Sequence, residues 1–132
     1  MRIIIAVDAN ILLSALLGGK PSIILFDSRF LFVTTEFTVQ EVKKYIPRLA
    51  EKLKVPEKDI LDLLELLPIS MYQRDFYTAT LHSAKRLIGH IDAKDADILA
   101  LALKLNVYLW SQDKDFEKCG YDKILKTHQF LE

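Results

Sequence analysis

A single cysteine in 132 residues leaves no intramolecular disulfide and no thiolate cage for a metal. Net charge is also missing: 18 basic residues balance 18 acidic ones, so no global positive field announces a polyanion partner. Basic residues set around an acidic site could still contact phosphates. No targeting or membrane signal is expected at the start of the chain. Its first apolar run, Ile3 to Val7, is too short to span a bilayer and lacks a signal-peptide cleavage pattern. The default location is therefore cytoplasmic. No repeat, low-complexity tract or linker divides the sequence, which is expected to form a single domain over residues 1–132. With 51% hydrophobic and 27% charged residues, the composition is that of a folded globular protein rather than a disordered one.

Ile3-Ile4-Ile5-Ala6-Val7 reads as a buried strand ending on Asp8. Asn10 is the expected N-cap of a short helix to Leu17, which Gly18-Gly19-Lys20-Pro21 breaks; another short helix follows to Asp27. Leu31 to Thr34 gives a second strand. Thr38 opens a helix carrying Val39, Val42, Ile46, Leu49 and Leu53, broken or kinked at Pro47. Pro56 starts a helix striped by Ile60, Leu63, Leu64 and Leu67, and Ile69 to Tyr72 is a third strand. A helix from Phe76 to Leu87, stopped by Gly89, precedes one from Asp92 to Leu105, stopped by Asn106. Val107 to Ser111 and Ile124 to Thr127 complete five strands. Strands alternating with helices imply right-handed crossovers and an α/β fold: a mainly parallel sheet covered on both faces.

Open parallel sheets place their ligands at the carboxyl ends of the strands. Asp8, Glu41, Asp95 and Asp113 all fall at such strand–helix junctions. Each has a purely structural explanation. Asp8 could cap a helix, although Asn10 is available for that; Glu41 completes a capping box with Thr38. Asp92 and Asp95 suit the first turn of a helix, where the dipole favours acids, and their spacing puts both on one face. Asp97, further round, is expected to face solvent or make a secondary contact. Asp113 lies closer to its strand than Asp115, which is expected to cap a short helix to Lys118. Four carboxylates in one crevice repel one another unless a cation or unusual protonation relieves them. Oxygen-only ligands suit Mg²⁺ or Mn²⁺ better than Zn²⁺. His82, His90 and His128 are scattered, and are expected to be surface or structural residues; Trp110 is expected in the core.

Four blocks carry a family resemblance: Val7-Asp8-Ala9-Asn10-Ile11-Leu12, Glu41 after Thr38, Asp95-Ala96-Asp97-Ile98-Leu99-Ala100-Leu101-Ala102, and Leu109-Trp110-Ser111-Gln112-Asp113-Lys114-Asp115-Phe116. Together they resemble a PIN domain, the small nuclease fold of VapC-type toxins and RNA-processing proteins. The resemblance implies a three-layer α/β/α domain with strand order 3-2-1-4-5. It implies an acidic quartet of Asp8, Glu41, Asp95 and Asp113, with Asp92 and Asp115 as auxiliary members and Asn10 and Ser111 in support. One departure is that Asp92-Ala93-Lys94-Asp95 lacks the upstream Arg of many toxin members.

The activity expected is metal-assisted hydrolysis of RNA, with one or two Mg²⁺ or Mn²⁺ ions, about 4 Å apart if two are bound. Asp8, Asp95 and Asp113 would hold metal and Glu41 would orient or deprotonate the attacking water. Lys43, Lys44 and Arg48 would carry flanking phosphates, although a solvated helix face explains them too. If the chain is the toxin half of a toxin–antitoxin pair, a small antitoxin is its partner. Leucines between Thr38 and Leu67 suit either a homodimer or a core-facing stripe. The alternatives are a receiver-like phosphotransfer domain, for which Ser111-Gln112 lacks the needed strand-end Lys, and a non-catalytic RNA- or protein-binding domain.

Overall fold

The computed structural model describes residues 1–88 and 92–131. Its centre is β1 (Ile3–Val7), whose β-branched residues alternate between two cores. Ile5 and Val7 join one cluster and Ala6 the other. β1 pairs in parallel with β2 (Phe30–Thr35) and β4 (Tyr108–Trp110); β2 pairs with β3 (Ile69–Tyr72) and β4 with β5 (Ile124–Leu125). The five-stranded parallel sheet has the order 3-2-1-4-5 expected from the resemblance.

On one face pack α1 (Ala9–Leu16), the short α2 (Pro21–Ile24), α3 (Glu36–Leu53) and α4 (Glu57–Leu66), through Ile11, Leu12, Val42, Ile46 and Ile60. On the other lie α5 (Arg74–Ile88) and α6 (Ala96–Leu105), followed by α7 (Lys114–Lys118), which adds Phe116. Every residue of α6 from Ala96 to Ala102 is buried, the mark of a helix enclosed on all sides. Asn106 ends it in the left-handed conformation (φ 56°), as its position suggests. Among the described residues no helix is long and apolar enough to cross a membrane.

Several element starts differ from the sequence expectation. α1 is capped by Asp8 rather than Asn10, α3 by Thr35 rather than Thr38, and α7 by Asp113 rather than Asp115. In each case two cap-competent residues stand close together, and the one nearer the strand end takes the role. Thr35 Oγ1 accepts the Thr38 N–H at 2.8 Å, so no Thr38–Glu41 capping box forms. Pro47 does not break α3; it is exposed, so the carbonyl it leaves unpaired can face water. α5 starts two residues early, at Arg74, and its expected stop, Gly89, lies outside the described residues. Of the leucines between residues 38 and 67, Leu49 and Leu67 are buried, while Leu53, Leu61, Leu63 and Leu66 stay exposed.

Asp97 makes the secondary contact and not the solvent-facing one. It is buried in α6, where Arg74 Nε and Nη2 each donate to its carboxylate at 2.9 Å and the Tyr77 hydroxyl donates a third bond. Burial, and then that bond to Asp97, pushes the Tyr77 phenol well above its ordinary range. Arg74→Ala leaves a buried carboxylate with one partner fewer. The Arg74 side chain is 55% exposed, so solvent screens part of the pair. A loss of about 1–2 kcal/mol is expected in urea unfolding; no change would show that Tyr77 alone suffices.

Candidate active site

The ends of β1 and β4 meet. The Asp8 N–H donates to the Trp110 carbonyl at 3.1 Å, which sets Asp8 beside Ser111 at the carboxyl edge of the sheet. Ser111 Oγ donates to Asp8 Oδ2 at 2.7 Å and accepts the Asp113 N–H at 3.0 Å. One buried hydroxyl thus ties two acids from opposite ends of the chain. Asp8 Oδ1 accepts the Ala9 N–H at 2.8 Å, and Asp113 Oδ1 accepts the Asp115 N–H at 2.9 Å. Asp95 arrives from a third direction, closing the 3₁₀ turn Ala93–Asp95 that Asp92 caps in front of α6.

Asp8, Asp95 and Asp113 each present one carboxylate oxygen, and the three oxygens lie within 4.8 Å of one another. They open into a cleft of about 200 Å³, also lined by Asn10, Glu41 and Asp92. Glu41 is on the wall but outside the three-acid cluster; its Oε1 accepts Lys44 Nζ at 2.8 Å. Asp115 is not on the cleft wall and acts through its backbone N–H on Asp113.

The basic residues divide differently from the sequence expectation. Lys43, Lys44 and Arg48 are exposed on α3, and none of them lines the cleft; Lys43 borders a separate apolar groove with Leu61, Leu64 and Met71. Among the described residues the cation on the cleft wall is Lys94, between Asp92 and Asp95. Tyr45 and Thr38 are also on the wall. Tyr45 could have been found from its spacing, since it stands four residues after Glu41 on the same helix face.

The electrostatics are those of acids forced together. Burial is the largest cause raising the Asp8 carboxyl from 3.8 to about 6; the Ser111 and Ala9 bonds oppose it, and Asp113 and Asp92 add to it. For Asp95 burial again comes first, followed by the charges of Asp8, Asp113, Asp92 and Asp115, and the carboxyl rises to about 8. Asp95 Oδ2 and Asn10 Oδ1 are buried and have no hydrogen-bond partner among the described residues. Unpartnered buried oxygens beside two further carboxylates form the donor set of a hard divalent cation. His82 and His128 are exposed, and the single cysteine is buried beside Phe116, so neither nitrogen nor sulfur joins the described cluster.

The PIN-domain model matches residues 6–130. No curated protein matches the sequence. Among solved structures, VapBC2 from Rickettsia felis, bound to a DNA fragment from its promoter, is similar with a TM-score of 0.68 and 16% identity, over 94% of this chain and 98% of that one. A toxin–antitoxin complex from Klebsiella pneumoniae gives 0.66 and 19%, over 92% and 96%. VapC20 of Mycobacterium tuberculosis, described as a sarcin-ricin-loop-cleaving toxin, gives 0.60 and 13%, over 90% and 97%. At such identities these structures speak for the fold. The family match covers nearly the whole length, and the chain belongs to the PIN-domain family.

Proposed function

We propose that this chain is a divalent-metal-dependent endoribonuclease, a single cytoplasmic domain acting as the toxin of a toxin–antitoxin pair. The observation that carries the catalytic part is the convergence of Asp8, Asp95 and Asp113 within 4.8 Å, with a buried oxygen of Asp95 left unpartnered. The toxin part is supported by the structural neighbours described as a toxin and as a toxin–antitoxin complex. A small antitoxin is accordingly the proposed protein partner.

Asp8, Asp95 and Asp113 would hold Mg²⁺ or Mn²⁺. Bound there, the ion supplies positive charge to the phosphate oxygens and acidifies a water. Ser111 and the Ala9 N–H fix the Asp8 carboxylate so that it need not reorganise when substrate arrives. Glu41 orients the attacking water or accepts its proton as the water oxygen bonds to phosphorus; the ester P–O bond breaks and the leaving sugar oxygen takes a proton from solvent. Lys94 draws the phosphate toward a wall that would otherwise repel it. A bound cation would also displace the proton that Asp95, raised to about 8, holds at neutral pH.

Incubation with end-labelled single-stranded RNA tests this reading. Discrete cleavage products are expected with Mg²⁺ or Mn²⁺ and none in EDTA. Uncut RNA under all conditions overturns the nuclease assignment, and cleavage that persists in EDTA overturns the metal.

A further inference from the structure

Most exposed aromatic rings of this chain lie away from the acids or are already engaged. Phe76 stacks on Tyr72 with ring centroids 4.5 Å apart and lies under Lys104 Nζ. Tyr45 is different. It is 42% exposed, it lines the carboxylate cleft, and among the described residues it has neither an aromatic nor a cationic ring partner. Its backbone is fixed: it sits mid-way along the 18-residue α3, between buried Val42 and Ile46 and one turn beyond Glu41. Beside the aliphatic Ala9 and Leu13 and the polar groups of the wall, Tyr45 is the one aromatic ring that lines the cleft among the described residues.

Resting on the nuclease reading, we infer that Tyr45 is a positioning residue of this site, stacking against an unpaired base next to the phosphate that is cut. A nucleotide carries its base one sugar away from its phosphate, so a ring on the wall of the phosphate site is within reach of it. Every base has a π-face, so such a contact holds single-stranded RNA without reading its sequence. The base inside a duplex is already stacked on both sides and cannot use it. The ring thereby favours unpaired segments over helices. A tyrosine is suited to this because it offers a large contact with only two side-chain torsions to immobilise.

The test uses an oligouridylate and a chain of equal length carrying a stable abasic sugar at every position. Both are titrated by fluorescence anisotropy against Asp8→Asn protein, so that no strand is cut, with Tyr45 intact or replaced by Phe or Ala. Tyr45→Ala is expected to weaken oligouridylate binding roughly 5- to 150-fold and to leave the abasic chain unaffected, while Tyr45→Phe keeps native affinity. Unchanged oligouridylate binding by Tyr45→Ala overturns the inference. So does an equal loss on both chains, which a purely structural ring would give. RNA cleavage by the chain with native Asp8 reports separately on the nuclease reading: its failure alongside base-dependent binding removes the reaction but keeps the stacking contact. Absence of RNA binding by every protein overturns both.

Discussion

Asp8→Asn is expected to reduce metal-dependent RNA cleavage by roughly a hundredfold to a thousandfold, the scale on which preorganised electrostatic groups act. The substitution removes one negative charge from the cluster while keeping its shape. Asparagine can still accept the Ala9 N–H through Oδ1, but its amide nitrogen then faces the Ser111 hydroxyl. The Ser111 O–H loses its acceptor, but its oxygen, which already receives the Asp113 N–H, can take the new amide N–H on its second lone pair. The bond is thus reversed in direction, and the burial that raises Asp8 to about 6 no longer acts on a charge. The fold is therefore expected to stand, with a thermal midpoint in EDTA no lower than that of the native chain. Cleavage within a few-fold of native would remove Asp8 from the metal site. An unfolded variant would show that the hydroxyl network, rather than the charge, dominates at this junction.

The metal-free protein should lose stability as pH rises from about 5 to 8, and Asp95→Asn should abolish most of that loss. An acid whose folded pKa exceeds its unfolded value holds its proton more tightly when folded. The stabilisation is complete below the unfolded value of 3.8 and is lost as pH climbs through about 8. Asp8 contributes in the same direction over a narrower window, ending at about 6. Asp95 is only half-buried, so water screens it from its neighbours. On the order of 2–3 kcal/mol is the expected difference between Asp95→Asn and the native chain at pH 8 in EDTA, shrinking to little at pH 4. Urea denaturation at fixed pH measures it. Adding Mg²⁺ or Mn²⁺ at pH 8 should restore the native chain and leave Asp95→Asn nearly unmoved. A flat profile in EDTA would mean that the three acids do not feel one another.

Strand positions were easier to read from the sequence than helix starts, and the reason is physical. Ile3–Val7 and Ile69–Tyr72 coincide with β1 and β3 because short apolar or β-branched runs between breakers have few other uses. Helix starts depend on where the preceding strand stops, which pairing across the sheet decides. β2 runs on to Thr35 because Thr35 sits opposite Tyr72 of β3, and a local pattern that favours Thr38 cannot know this. That three-residue change matters for the site. With Thr35 as the cap, Glu41 has no capping duty, and the structural explanation that competed for it disappears. The three-acid cluster came through the type and junction of each residue, whereas Lys94 did not, since a lone cation looks like ordinary surface, and Tyr45 is marked only by its four-residue spacing from Glu41.

The pairing that creates the site also sets when it can exist. Ser111 bonds to Asp8 across 103 residues of chain. At ribosomal speed the interval between their emergence is roughly 5 to 20 seconds. Throughout it β1 can pair with β2 but lacks β4, so the sheet's most apolar strand shows an unpaired edge to solvent. Asp8 in the same interval is an isolated carboxylate with no neighbour to repel it. One late event, the insertion of β4, closes the sticky edge and brings the mutually repelling acids together. Aggregation during synthesis and premature assembly of the acid cluster are thus governed by the same step.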